Sequence, residues 1–139
     1  MFERILFPTD FSVYANAVTA CLPSLQTAGV KEVILLHVIR ASDVPLPETY
    51  NLESYKFIRW SVEEQLNLLR MVMEGHGLRV RIRIEYGSPV VEIVRVAVDE
   101  KVGMIVIGAQ GTTLAQELMI GSTAFEVIRR LPVPVLLEK

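Results

Sequence analysis

Three spaced glycines and a pair of hydroxyl residues lie near the C-terminus of this chain. Gly108 and Gly111 follow an apolar segment, and Gly121 comes directly before Ser122 and Thr123. Glycine tolerates positive φ and close backbone approach, so peptide N–H groups can converge on one anion. The hydroxyl pair stands where the next helix is predicted to begin, and a helix N-terminus favours negative charge. The segment therefore predicts a phosphate-binding loop.

The same hydroxyl residues also have an interpretation as helix caps. Thr123 and Glu126 have the spacing of a capping box, and capping uses the same backbone geometry as phosphate binding, so both roles can hold. The loop lacks the GxxxxGK[ST] pattern and has no basic residue between Lys101 and Arg129. We expect phosphates to depend on N–H groups, hydroxyls and a bound Mg²⁺, with no metal site formed by the protein alone.

Alternating strands and helices are predicted to position this loop. The second strand is almost wholly apolar, as in a strand covered on both faces. The order predicts an α/β fold in three layers, an open parallel sheet with right-handed crossovers. Strands are predicted at Arg4–Pro8, Glu32–Ile39, Arg79–Tyr86, Met104–Gly108 and Val135–Leu137.

A helix is predicted after the first strand, from the candidate caps Asp10 and Ser12 through Leu22 toward Gly29. Two further helices are predicted from apolar residues three and four positions apart. The longer ends near Gly75 to Gly77, and the shorter begins at Ser88-Pro89. Residues 40–50 are predicted to form a loop, and 123–131 a last helix. The predicted buried stripes are Leu52, Tyr55, Val62, Leu66, Leu69 and Met73 in the first, and Val91, Val94 and Val98 in the second.

The third strand alternates apolar residues with Arg79, Arg81, Arg83 and Glu85. Such alternation predicts an edge strand with one covered face, whose arginines form the solvated side. A row of arginines that binds a partner is the alternative interpretation.

The spacing Gly108-x2-Gly111-x9-Gly121-Ser122 resembles the nucleotide-binding signature of the universal stress protein family. The resemblance extends to ILFPTDFS at Ile5–Ser12, LLHVI at Leu35–Ile39 and PVPVLL at Pro132–Leu137. It implies a single Rossmann-like domain over residues 1–139, with five strands in the order 3-2-1-4-5. Ligands in such sheets bind where the order reverses, here between the first and fourth strands.

The resemblance also assigns roles to individual residues in that crevice. Asp10 suits the ribose hydroxyls, because an ionised carboxylate only accepts hydrogen bonds, although it could instead cap the following helix. The implied nucleotide contacts are Pro8, Thr9 and Asp10 for ribose and adenine, Val38 for adenine, Ile107 and Gly108 for the pocket floor, and Gly111, Gly121, Ser122 and Thr123 for the phosphates.

Composition excludes several classes of function. The chain has 139 residues, 51% of them hydrophobic, without an apolar run of membrane-spanning length, so one domain with a buried sheet is expected. A net charge of −2 gives no pull toward nucleic acid or anionic lipid. Cys21 is expected to be a buried apolar residue, and His37 a hydrogen-bonded core residue and not a metal ligand. The N-terminus lacks a signal-peptide pattern, which predicts a cytoplasmic protein.

We expect an ATP-binding or other adenine-nucleotide-binding protein that acts as a homodimeric sensor or regulatory module in stress responses. A slow ATPase or autophosphorylating enzyme is the alternative, but Asp10 and Glu117 lack a companion that could tune either as a base. A nucleotide-free dimeric scaffold is the second alternative, since Gln110 stands where many family members carry a basic residue. The dimer is expected through the apolar edge segment Val133–Leu137, which would pair with its symmetry mate.

Overall fold

The structure, a computed structural model, describes residues 3–9, 11, 22–40, 52–108 and 134–138. Four parallel strands lie in the order β3-β2-β1-β4. This confirms the predicted α/β class and that part of the predicted order. The strands are β1 (Arg4–Pro8), β2 (Glu32–Ile39), β3 (Arg79–Tyr86) and β4 (Met104–Gly108), with the predicted bounds. A further segment, β5 (Val135–Glu138), pairs in parallel with β4.

Helices cover both faces of the sheet. Residues 22–27 are helical and are called α1 here; α2 spans Leu52–Gly75 and α3 spans Pro89–Asp99. One core lies under α1 and α2 and includes Phe7 and Leu35, and the other lies under α3 and includes Leu6 and Leu36. Neighbouring residues of one strand therefore enter opposite cores, which explains why β1 and β2 are apolar at nearly every position.

The predicted buried stripe is confirmed in part for α2, and in α3 it is wrong for Val91 and Val98 but not for Val94, which packs against the core. In α2, Val62, Leu66 and Met73 are buried. In α3, Val91 and Val98 are 49% and 57% exposed, and Val94 is half-buried. The apolar residues of α3 cover more of its circumference than the sheet can contact. Several sets of these residues have helical spacing, so periodicity alone could not show which set is buried. The residues that α3 buries are Ile93, Val96 and Ala97.

The three helices in the described part of the chain end in the same hydrogen-bonded turn, the Schellman motif. In each, the two residues after the last helical turn donate their N–H groups back to carbonyls of that turn. The first of these two residues has positive φ, +94° at Gly29, +90° at Gly77 and +52° at Lys101. Glycine adopts this conformation without strain, whereas a lysine brings its Cβ close to the backbone. The end of α3 is therefore the strained member of the three.

β3 lies at the edge of the sheet as predicted, but its arginines are occupied by ion pairs. Arg81 Nη2 lies 2.8 Å from Glu100 Oε1, and Arg83 Nη2 lies 3.3 Å from Asp99 Oδ2. Arg83 is only 25% exposed at its side chain. Arg81 and Arg83 thus fasten the edge strand to the end of α3, and carboxylates already surround these two guanidinium groups, whereas Arg79 is 78% exposed.

We predict that Lys101→Gly raises the free energy of unfolding by about 0.5–1 kcal/mol, because glycine relieves the positive φ. Urea unfolding followed by circular dichroism measures the change. The matched control is Gly77→Lys, which places lysine at the same position of the α2 turn and is expected to be destabilising. An unchanged or lower stability of Lys101→Gly would contradict the assigned strain.

We predict that the ion pairs of Glu100 lose their stabilising effect in acid. The hydrogen bond from Arg81 lowers the pKa of Glu100 below its ordinary value of 4.5, although burial opposes the shift. A carboxylate with a lowered folded pKa stabilises the protein above its unfolded pKa and loses this effect as the pH falls through the folded pKa. Arg81→Gln should therefore cost up to about 1 kcal/mol at pH 6 and less at pH 3, since exposed pairs are weak.

Urea unfolding of both proteins at the two pH values measures this difference. Lys56→Gln, which removes a cation from the exposed side of α2, serves as the control and should show no such convergence. An equal cost of Arg81→Gln at both pH values would show that Glu100 does not mediate the effect.

Candidate functional site

The order of the strands opens a crevice at the carboxyl end of β1. β1 pairs with β2 along its whole length, from Arg4 to Pro8, but it pairs with β4 only at Ile5 and Leu6. The helices that follow β1 and β2 lie on one face, and the helix that precedes β4 lies on the other. Beyond Leu6, β1 and β4 thus part at the point where the strand order reverses, the position where open α/β sheets bind ligands.

Pro8 and Thr9 form the β1 side of this crevice. Pro8 pairs with Leu36, and the Thr9 N–H donates to the Leu36 carbonyl at 2.8 Å. Thr9 is only 3% exposed, and its Oγ1 accepts a hydrogen bond from the Phe11 N–H at 3.0 Å. Phe11 has a φ of +69°, so the chain turns sharply here. The Thr9 side chain therefore shapes the turn that leads from β1 to Phe11.

A second contact fixes this turn to β2. His37 Nδ1 lies 2.7 Å from the Thr9 carbonyl oxygen. Because a carbonyl only accepts, Nδ1 carries the hydrogen in this bond. The imidazole also stacks on the Phe11 ring, with centroids 4.5 Å apart and planes 25° apart. His37 is thus hydrogen-bonded, as predicted. The sequence offered no signal for Phe11, since a positive φ outside glycine is rare and depends on such contacts.

Val38, Ile107 and Gly108 lie on the neighbouring strands at the same end of the sheet. Val38 is the penultimate residue of β2, is 8% exposed and packs in the core under α3. Ile107 and Gly108 end β4. The sheet therefore brings five of the predicted residues, Pro8, Thr9, Val38, Ile107 and Gly108, to the carboxyl ends of β1, β2 and β4.

The other predicted site residues lie outside the described part of the chain. They are Asp10, Gly111, Gly121, Ser122 and Thr123, together with Gln110 and Glu117. The described residues at this edge of the sheet include the buried hydroxyl of Thr9, the imidazole of His37 and the apolar side chain of Val38. Glu85, on β3, does not offer a free base, because the hydrogen bonds from Arg83 and Arg95 lower its pKa more than its burial raises it.

In the described part of the chain, no group of three histidine, cysteine, aspartate or glutamate side chains is placed to hold a metal ion. None of the helices in this part of the chain is long and apolar enough to cross a membrane.

Comparison with known proteins identifies relatives of the whole chain. Universal stress protein MJ0577 of Methanocaldococcus jannaschii is 32% identical over all of this chain and 96% of its own length. Its solved structure superposes with a TM-score of 0.80 at 34% identity, over 100% of this chain and 96% of that one.

Two more distant structures share the fold and contain nucleotides. A universal stress protein of Archaeoglobus fulgidus in complex with dAMP has a TM-score of 0.65 at 19% identity and covers all of both chains. A universal stress protein in complex with cAMP has a TM-score of 0.69 at 19% identity, over 99% of this chain and 97% of that one.

The family model described as "Universal stress protein family" matches residues 1–139. Together with the relative from Methanocaldococcus jannaschii, which aligns over the full chain, this match shows that the chain belongs to the universal stress protein family.

Proposed function

We propose that this protein is a cytoplasmic, homodimeric sensor, folded as one domain over residues 1–139, that binds ATP or another adenine nucleotide. The observation that carries the proposal is that β1 and β4 stop pairing after Leu6. The glycine-rich segment follows β4 in the sequence and so begins at the same edge of the sheet. A nucleotide in this crevice would have its base and ribose near β1 and β2 and its phosphates at the glycines. The relatives in complex with dAMP and cAMP support the adenine nucleotide class.

Each side of the crevice has its own proposed task. Val38 and Ile107 would contact adenine and the pocket floor, and Thr9 would hold the turn that presents the Asp10 carboxylate to the ribose hydroxyls. The backbone at Gly108, Gly111 and Gly121 would approach the phosphates, with the hydroxyls of Ser122 and Thr123 as further donors. Mg²⁺ would neutralise phosphate charge, because residues 102–128 contain no lysine or arginine.

Binding without rapid turnover is the activity that these residues favour. Among the described residues at this edge, His37 uses its Nδ1 in the hydrogen bond to the Thr9 carbonyl. That nitrogen therefore does not serve as a base beside an attacking water. Nucleotide occupancy would then act by changing the crevice turn or a partner surface. The enzyme alternative would require Asp10 or Glu117 to act as a base without a basic companion.

We predict that ATP binds in the presence of Mg²⁺ and that Gly121→Val weakens this binding by at least about tenfold. A β-branched side chain would resist positive φ and fill space next to the phosphates. Isothermal titration calorimetry with ATP, ADP, AMP and adenosine measures the effect. The loss should be largest for ATP, since the substitution acts on phosphate contacts.

The matched control is Gly75→Val at the end of α2, where an added Cβ meets no heavy atom within 4 Å. This variant should bind all four ligands like the unmodified protein. If a folded Gly121→Val protein binds ATP with unchanged affinity, the assignment of the glycine loop to phosphates is wrong.

We also propose that β5 completes a five-stranded sheet and forms the dimer interface. Its apolar segment Val133–Leu137 has no charged residue before Glu138. A strand next to β4 with a free edge would present unpaired N–H and C=O groups, and pairing with its symmetry mate would satisfy both edges at once.

We predict that Val135→Lys shifts the protein from dimer to monomer, because a charge would enter the apolar contact. Light scattering at tens of micromolar measures the mass. Val98→Lys is the matched control: it makes the same change at an α3 residue that is 57% exposed, and it should remain dimeric. A monomeric unmodified protein, or a folded Val135→Lys protein that stays dimeric, would exclude this interface.

A further inference from the structure

A cavity of about 300 Å³ lies at the amino ends of the strands, opposite to the proposed nucleotide crevice. Parallel strands begin at one edge of the sheet and end at the other, so the two sites are separated by the length of β1, roughly 15 Å for its five residues. β1, β2 and β3 each contribute a cation at or just before their first residue, and Lys101 lies in the turn between α3 and β4. The cavity is lined by Glu3, Arg4, Lys31, Glu32, Arg79, Lys101 and Gly103.

The carboxylates of this cavity do not balance its cations. Glu32 is the shared partner of Arg4 at 3.1 Å and Arg79 at 3.8 Å, and Arg81 approaches the same carboxylate at 3.2 Å. One negative charge thus serves three guanidinium groups, and Glu3 is the other acid of the lining. The described residues of the lining carry four cations and two carboxylates, a net charge of +2, in a chain whose net charge is −2.

The four cations differ in how firmly they are held. Arg4 bonds to Glu32 and donates from Nη1 to the Glu100 carbonyl at 2.9 Å. Arg79 is 78% exposed at its side chain and approaches Glu32 only to 3.8 Å. The ammonium groups of Lys31 and Lys101 form no ion pair with the described residues. The cavity therefore combines one ordered guanidinium group with three cationic side chains that can turn toward an anion.

The conformation of Lys101 is a separate observation. At the two equivalent helix ends, glycine occupies the position of positive φ, whereas here a lysine does, and its side chain lines the cavity. A lysine at this position would also favour the helix through the dipole at the end of α3. That role concerns stability alone, so it can be separated from a role in binding.

From these contacts we propose that the cavity at the amino edge binds a compact, multiply charged anion of the phosphate class, with Arg4 as a fixed contact and Arg79, Lys31 and Lys101 closing on it. Its volume of about 300 Å³ is enough for a short phosphate chain. The backbone N–H groups of Lys31 and Gly103 are already bonded to the carbonyls of Glu3 and Arg4, so side chains must supply the contacts.

The probe for the test is inorganic pyrophosphate added to the full-length protein at low ionic strength. Calorimetry gives the affinity, and NMR shifts of backbone amides locate the site. We expect the largest shifts at Lys31, Arg79 and Gly103, and an affinity that falls as sodium chloride is added. Lys31→Gln and Lys101→Gln should each weaken binding at least about fivefold, while Lys56→Gln, which removes a lysine from the exposed side of α2, should leave it unchanged.

Lys101→Gly separates binding from stability. It is expected to unfold at higher urea concentration than the unmodified protein and yet to bind pyrophosphate at least fivefold more weakly. Unchanged affinity in the folded Lys101→Gly protein, or shifts confined to Thr9, Val38 and Gly108, would overturn the proposal. Shifts confined to the carboxyl edge would place the phosphate in the nucleotide crevice. If instead ATP fails to bind in that crevice, the shifts that pyrophosphate causes at the amino edge should still be observed, so the two proposals can fail separately.

Discussion

β1 and β2 have side chains on both faces that no water reaches. Ile5, Leu6, Leu35 and Leu36 are each 0% exposed, and neighbours along each strand enter different cores. Both faces of the central strands must therefore be covered by helices. Because the crossovers are right-handed, helices reach the second face only if the order in which strands are added to the sheet reverses. The reversal separates β1 from β4 at one edge and creates the crevice. The candidate site thus follows from the way the core is buried.

Most of the sheet could be predicted from the sequence because each strand has its own pattern. The continuous apolar run of β2 indicates a central strand, and the alternation in β3 indicates an edge. The same patterns were insufficient for α3, whose apolar residues surround much of the helix. Only the contact with the sheet selects Ile93, Val96 and Ala97 over Val91 and Val98.

The candidate site was predictable where it depends on strand ends and unpredictable where it depends on long-range contacts. Pro8, Thr9 and Gly108 stand next to apolar strands, so their position at the carboxyl edge follows from the sequence. The stacking of Phe11 on His37 and the bond to the Thr9 carbonyl join residues 26 and 28 positions apart. The three arginines that approach Glu32 likewise connect three strands, and the local sequence pattern does not predict such contacts.

The convergence on Glu32 also bears on how the strands find their alignment. In an ordinary sheet, a slip by one residue exposes apolar side chains to water, and this cost fixes the register. β1 and β2 are apolar on both sides, so the same slip would exchange one buried aliphatic for another at little cost. Arg4 and Arg79 stand directly opposite Glu32 in the aligned strands, and a slip would carry both away from its carboxylate. The charged amino ends therefore mark the alignment of an apolar sheet, and a neutral residue at position 32 would remove both of these ion pairs.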